Sequence, residues 1–312
     1  MESQINMKQK SILPKQNKGW KVWWNLTRPH TLTAAFVPVF IGTALALEQT
    51  QINMPLFLVM LIACILIQAA TNMINEYFDF KRGLDTEESV GIGGAIVRDG
   101  VKPKTVLIAA FLLFAIAAFL GIYICLNSSW WLALIGTICM LAGYYYTGGP
   151  IPIAYTPFGE IVAGTFMGLI IILLSYFIQT DTISTASILV SIPVSILVGA
   201  ILLANNIRDL DGDKENGRNT LAIILGRPNA IKLLAGMFII SYGWVVILVL
   251  ANISSPWVLL VLISIPSAIK ATKGFVGKNI PIQMMPAMKA TAKTNTHFGF
   301  LLSLGLLLSY WF

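Results

Sequence analysis

Asn75 and Asp79 stand four residues apart, and 130 residues further on Asn205 and Asp209 repeat that spacing. Four residues is about one helical turn, so each pair presents its oxygens on one face. Each pair belongs to a longer polar run. The first is Asn72-Met-Ile-Asn75-Glu-Tyr-Phe-Asp79-Phe-Lys-Arg-Gly83-Leu-Asp85. Asn72 shares the face, and Gly83 can end the helix so that Asp85 folds back. The second run is Asn205-Asn206-Ile-Arg208-Asp209-Leu-Asp211-Gly-Asp213-Lys214-Glu-Asn-Gly217-Arg218-Asn-Thr220, with Asn205, Asp209 and Asp213 at four-residue steps. Carboxylates gathered in one place repel each other and are costly to desolvate. A divalent cation offsets that cost. Hard oxygen donors with few positions per helix suit Mg²⁺, which keeps waters and shares its shell with substrate phosphates. Arg98, Arg208, Lys214 and Arg218 interleave with the acids, as expected when the metal-bound ligand is itself a polyanion. A Ca²⁺ loop of EF-hand type starting at Asp209 fails, because its sixth position is Lys214 and its twelfth is Thr220. Glu87, Glu88 and Glu215 read as solvated loop acids.

The elements that must position these residues are membrane helices. Of the 312 residues, 11% are charged and 56% hydrophobic, and the mean hydropathy is +0.77. A soluble domain carries about a quarter charged residues, so this chain cannot build a water-facing shell. A span needs about 20 largely apolar residues, and nine segments approach that length: 32–47, 56–78, 105–126, 130–147, 158–178, 188–204, 231–250, 253–269 and 294–312. None has the period-two alternation of a membrane β-barrel. The expected fold is an all-α membrane protein with nine transmembrane helices in one bundle.

Every one of the 21 Lys and Arg residues precedes or opens the first span, or lies between spans two and three, six and seven, or eight and nine. By the positive-inside rule the N-terminus and those loops are cytoplasmic and the C-terminus is outside. The net charge of +7 therefore reports orientation and implies no nucleic acid. Ten of the 14 acids fall into the two clusters on the same side. Residues 1–27 read as a basic tail followed by an interfacial segment, Lys18 to Trp24, whose rings and cations suit headgroup depth. No cleavable signal peptide is expected. Residues 28–312 read as a single transmembrane domain. Cys64, Cys125 and Cys139 lack metal or redox spacing and read as packing residues.

Paired Asp-rich motifs after the second and sixth of nine helices resemble those of the UbiA-type intramembrane prenyltransferases, and the resemblance runs from Arg28-Pro29 to the last span. The segment Tyr144-Tyr-Tyr146-Thr-Gly-Gly-Pro150-Ile-Pro152, continuing through Tyr155 to Gly159-Glu160, is similar to the menaquinone branch of that family. Branches acting on 4-hydroxybenzoate or haem usually carry Lys-Arg soon after the corresponding tyrosine, and here no basic residue occurs between Lys104 and Arg208. The run Lys214-Glu-Asn-Gly217-Arg218-Asn-Thr220-Leu221 fits the same branch. Two positions depart from it: Glu76 stands where that branch commonly has Asp, and Ala154 where it has Gly. Glu76 is therefore not assigned a metal contact.

The resemblance implies Mg²⁺-dependent transfer of a polyprenyl chain from an allylic prenyl diphosphate to 1,4-dihydroxy-2-naphthoate, with loss of CO₂, in menaquinone biosynthesis. It places the enzyme in the cell membrane with its active site facing the cytoplasm. On that reading Asp79, Asp85, Asp209 and Asp213 hold Mg²⁺, and Asn75 and Asn205 serve as neutral ligands or orienting groups. Arg208, Lys214 and Arg218 cap diphosphate oxygens, with Asn72 beside them. Tyr144, Tyr146 and Tyr155 offer ring faces to an allylic cation. Arg28 or Arg98 receives the acceptor carboxylate. Glu160 orients or deprotonates a ring hydroxyl, or else caps the first turn of span five. The prenyl tail needs only an apolar groove, so its length is not readable. Two alternatives remain open, a sibling prenyltransferase with another aromatic acceptor and a multi-pass secondary transporter. A transporter expects ionisable groups near mid-membrane, whereas here they sit at span ends. A CDP-alcohol phosphotransferase is disfavoured because its Asp-Gly-x-x-Ala-Arg signature is absent.

Overall fold

The computed structural model describes residues 18–85 and 94–312, so the tail up to residue 17 and the acids Glu87 and Glu88 lie outside the described residues. The described residues are helical throughout, with no strand. In chain order the helices are α1 (Trp20–Leu26), α2 (Pro29–Ala46), α3 (Met54–Lys81), α4 (Pro103–Asn127) and α5 (Trp131–Thr147). They continue with α6 (Gly159–Thr180), α7 (Thr185–Glu215), the short α8 (Leu221–Leu225), α9 (Arg227–Leu250), α10 (Pro256–Phe275) and α11 (Pro281–Trp311).

Local chemistry sets the helix starts. Pro29, Pro103, Pro256 and Pro281 open their helices, where the missing N–H costs no intrahelical bond. The Asn53 side chain accepts from the Leu56 amide at 3.1 Å to cap α3. Ser184 and Ser187 bond each other's amides reciprocally to start α7.

Helices α3, α4, α6, α7, α9 and α10 are long and apolar enough to cross a membrane, and α1 with α2, bent by 62°, makes a seventh if taken as one span. Helix α5 is apolar but has 17 residues, and α11 is polar over its first turns. The indole rings of Trp20, Trp23 and Trp24 on α1 are exposed while Val22 and Leu26 are buried, an amphipathic arrangement suited to a membrane surface.

Helix α7 is the hub. Its residues Val190, Val194, Leu197, Leu203 and Ile207 are buried in one large core with α2, α6, α9, α10 and α11. Two smaller cores join α1, α3 and α4, and then α2, α3, α4, the start of α5 and the end of α6. In lipid, helix association relies on close packing and small residues rather than on water expulsion, and the glycines follow that rule. Gly164 and Gly168 of α6 lie directly against the backbone of Ser195 on α7, and a Cβ at Gly164 would sit 2.5 Å from the Ser195 carbonyl oxygen. Gly42 of α2 abuts Ile172 and Ser175 of α6, and Gly299 of α11 abuts Val37 of α2. A π-helical stretch, Gly164–Ile170, widens α6 at its contact with α7.

The contact is testable. Gly168→Val is expected to destabilise the fold by about 3 kcal/mol or more, lowering the melting temperature in detergent. Gly243→Val on α9, where a Cβ meets nothing within 4 Å, is expected to leave it unchanged.

Candidate active site

The two polar runs end in the same backbone device. At the end of α3 the Leu84 amide donates to the Asp79 carbonyl at 2.9 Å and the Gly83 amide to Phe80 at 3.0 Å, with Gly83 at φ 72°. At the end of α7 the Arg218 amide donates to Asp213 at 2.9 Å and the Gly217 amide to Lys214 at 3.1 Å, with Gly217 at φ 74°. Both are Schellman closures, which require a left-handed residue that glycine supplies without strain. The sequence spacing pairs Asp79 with Asp209. The helix ends pair it with Asp213, because α7 runs one turn further before it closes.

That extra turn brings Arg218 back over the site. Its guanidinium meets Asp79 Oδ1 at 3.2 Å and Asp213 Oδ1 at 3.1 Å, so one cation joins the two halves of the chain. The ring of Tyr155 lies under it at 4.7 Å, and Arg82 approaches the same ring at 5.2 Å. Arg82 also donates to the carbonyls of Thr147 and of Gly149, the latter at 2.9 Å, anchoring the Gly148-Gly149-Pro150 turn to the end of α3. With cations on it, Tyr155 supports Arg218, and it is absent from the cavity wall. The ring expected to face a substrate cation faces two guanidinium groups in this structure.

On the other side of Asp79, Glu76 is 1% exposed and accepts from the amides of Gly94 at 2.6 Å and Ile96 at 3.3 Å. Its second oxygen faces Arg28 at 3.6 Å. Arg28 takes a left-handed conformation, φ 51°, at the elbow between α1 and α2. Asn72 donates to the Thr27 carbonyl at 2.7 Å and the Thr31 hydroxyl at 3.0 Å, so its amide is spent holding that elbow rather than free for substrate. Asp85 folds back as the glycine allows. Burial, then the charges of Asp79 and Glu76, push its carboxyl up to about 6.

Below this polar rim lies a cavity of about 450 Å³ with a largely apolar wall. Arg28, Asn72, Asn75, Tyr146 and Asn205 line its polar end, and Met60, Leu132 and Ile178 its far end. The Asn75 Oδ1 atom and the Tyr146 hydroxyl are buried without a hydrogen-bond partner. Glu160, in the first turn of α6, accepts from Asn206 Nδ2 at 2.9 Å through one oxygen, and its other oxygen is buried without a partner. Gly159, directly before it, is packed under Tyr146, whose hydroxyl lies 3.5 Å from where a Cβ would stand.

Other expected residues are placed elsewhere. Arg208 is chelated by its neighbour Asp209 at 2.6 and 2.5 Å and reaches Met285 Sδ at 3.4 Å. Lys214 is exposed. Tyr144 packs on Phe78 and Phe111 and does not line the cavity. Arg98 lies over Gly94 and does not line it either. Sequence reasoning gave Glu76 no metal contact and no other role, and it missed Arg82, Asn206 and Arg227, which clamps Asp211 at 2.9 Å and the Ile207 carbonyl. The only advance signal for them was their place inside or beside the polar runs.

Among the described residues no group of three or more metal-ligating side chains converges on one point. The donors nonetheless fit Mg²⁺. Asn75 Oδ1, Asp85 Oδ2 and Asp213 Oδ2 are buried oxygens lacking a hydrogen-bond donor, and Mg²⁺ asks a protein for one or two carboxylates while water and phosphate complete its shell.

A family model described as the UbiA prenyltransferase family matches residues 35–281. The chain is 57% identical over 308 residues to the 1,4-dihydroxy-2-naphthoate octaprenyltransferase of Bacillus subtilis, covering 99% of each protein. It is 28% identical over 297 residues to the Escherichia coli protein of the same description, covering 93% of this chain and 96% of that protein. Its fold is similar to that of a UbiA homolog from Archaeoglobus fulgidus bound to GPP and Mg²⁺, with a TM-score of 0.63 at 14% identity, covering 90% of this chain and 99% of the other. A UbiA homolog from Aeropyrum pernix K1 gives a TM-score of 0.65 at 15% identity, covering 88% and 97%. With the motif helices, the polar rim and the apolar cavity in place, the sequence match makes this chain a member of the UbiA prenyltransferase family.

Proposed function

We propose that this chain transfers a polyprenyl group from an allylic prenyl diphosphate to 1,4-dihydroxy-2-naphthoate, with loss of CO₂, as a step of menaquinone biosynthesis. The observation that carries the reading is the bridge from Arg218 to Asp79 and Asp213 over the polar mouth of a deep apolar cavity. The Bacillus subtilis relative supports the acceptor, and the GPP- and Mg²⁺-bound homolog supports the donor class. The chain acts as a single domain over residues 28–312, its nine helices spanning the cell membrane with the N-terminus and both motifs cytoplasmic. The segment from Lys18 to Trp24, with its exposed indole rings, rests at the membrane surface.

The chemistry asks for stabilisation of the leaving diphosphate, exclusion of water and placement of the acceptor. Asp79, Asp85, Asp213 and Asn75, with Asp209 and Asn205 beside them, would hold Mg²⁺, which when bound would supply positive charge where the leaving group gains negative charge. Arg218, placed between Asp79 and Asp213, binds diphosphate oxygens. The apolar wall keeps water from the allylic carbon, with the Tyr146 ring beside it. Arg28, fixed by Glu76 and by the elbow, receives the acceptor carboxylate. Glu160, held through one oxygen by Asn206, lies behind Tyr146, so a proton from the ring hydroxyl reaches its other oxygen by way of the Tyr146 hydroxyl.

Membranes carrying the protein, given Mg²⁺, dihydroxynaphthoate and a prenyl diphosphate, are expected to yield prenylated, decarboxylated product. Chelator should abolish it, and so should Asp79→Ala combined with Asp209→Ala; retained activity in the double variant would sink the metal assignment. Arg218→Ala is expected to lower kcat by about 10² or more, and Arg218→Lys should not restore it, because one ammonium cannot span both carboxylates.

Asp85 gives a pH signature. Its folded carboxyl titrates at about 6, above the ordinary aspartate value, so the folded state holds the proton more tightly. Stability from this group is full below pH ~4 and is lost as pH rises through about 6. In metal-free protein Asp85→Asn should therefore be more stable than wild type at pH 7.5 by roughly 2–3 kcal/mol, and the gap should close by pH 4. Melting curves at the two pH values decide it.

A further inference from the structure

A second cleft, outside the candidate active site, opens between the end of α3 and the start of α4. Its volume is about 450 Å³, and it is lined by Tyr77, Phe80 and Lys81 of α3 and by Lys102, Pro103 and Lys104 where α4 begins. None of these residues lines the central cavity. Lys81, Lys102 and Lys104 are exposed, and among the described residues none of the three forms an ion pair. Three ammonium groups around one cleft repel each other, and an anion between them offsets that repulsion. No acidic residue stands in the first turn of α4 to supply it.

The rest of the lining identifies the kind of anion. Tyr77 and Phe80 give the cleft aromatic walls, and Phe80 is itself exposed. Along α4 from Lys104, Ile108, Leu112 and Ile116 follow at four-residue steps. All three are exposed, and none lines the central cavity. Lys104 to Ile116 is about 18 Å of helix at 1.5 Å per residue, close to one leaflet of a hydrocarbon core about 30 Å thick. Cations at one end of an apolar stripe of that length match a phospholipid, with its phosphate on the lysines and a chain along the helix. A free phosphate would use the lysines and leave the stripe unused.

We propose that the α3–α4 cleft binds the headgroup of an anionic phospholipid on Lys81, Lys102 and Lys104, with an acyl chain along Ile108, Leu112 and Ile116. The site is separate from the transferase reading and uses none of its chemistry. Its position gives the lipid a structural role. Lys81 ends α3 and Lys102 directly precedes α4, so one headgroup ties together the two helix ends that bound the connection 82–102. That connection carries Asp85 and the Gly94 and Ile96 amides that donate to Glu76.

The test compares the full chain with a cleft variant, Lys81→Gln with Lys102→Gln and Lys104→Gln. The control is Lys270→Gln with Lys273→Gln and Lys289→Gln, three exposed lysines of α10 and α11. Melting temperatures are read in neutral detergent with phosphatidylglycerol, phosphatidylcholine or inorganic phosphate added. Phosphatidylglycerol should raise wild type and the control by about 3 °C or more and leave the cleft variant unmoved. Phosphatidylcholine and inorganic phosphate should move none of them. No shift in wild type, an equal shift in the cleft variant, or loss of the shift in the control overturns the site. An equal shift from inorganic phosphate overturns the lipid as its occupant. A second measurement needs no variant to fold: phosphatidylglycerol carrying a photoreactive group should label residues 77–81 and 102–116 of wild type. Absence of label from both segments overturns the proposal.

Discussion

Arg218 meets carboxylates from both polar runs, and the mouth of the cavity takes its form from that shared guanidinium. Asp79 arrives on α3 and Asp213 on α7, more than a hundred residues later, and Arg218 pairs with both. An ion pair out of bulk water persists only with good geometry and satisfied hydrogen bonds. Here the supporting contacts are visible: Tyr155 beneath the guanidinium, Arg82 on the same ring, and the Gly148-Gly149 turn tied back to Arg82. The aromatic and glycine-rich segment after α5 thus serves the cations as much as it serves a substrate.

Beneath that mouth the physics changes. Helices in lipid gain little by hiding apolar surface, so their association depends on how closely backbones approach. The contrast between jammed and open glycines follows from this. Where Gly168 meets Ser195, two helices are locked. Where Gly136 meets nothing, the same residue type leaves space. One residue type serves both close packing and open space, and only its surroundings distinguish the two uses.

The sequence was most legible where charge is scarce. With few ionisable residues in the chain, Asp79, Asp85, Asp209 and Asp213 stand out by position, and each of the nine expected apolar segments overlaps a helix, six or seven of which are long and apolar enough to span. Gly83 was read as a helix end, and it is one. The less legible features depend on distant partners. Asn72 shares a helical face with Asn75, but Thr27 and Thr31 approach only it and take its amide. Tyr144, Tyr146 and Tyr155 are alike in composition. Tertiary packing sends Tyr144 to an aromatic cluster, Tyr146 to the cavity and Tyr155 beneath a guanidinium. Glu76 differs from the residue common in its branch, and its length lets it reach the amides of Gly94 and Ile96. No local pattern encodes such meetings.

The matched closures at Gly83 and Gly217 have an electrostatic consequence. Both α3 and α7 point their C-terminal ends at the candidate site, and each helix carries roughly half a negative charge there from its aligned peptide dipoles. Those partial charges add to the side-chain carboxylates and cannot be titrated or mutated away. An anionic diphosphate arriving alone would face backbone and carboxylates of its own sign, with Arg218 already paired to two of those carboxylates. It is welcome only in company with cations, so the backbone of this bundle makes charge neutrality a condition of entry before any side chain is counted.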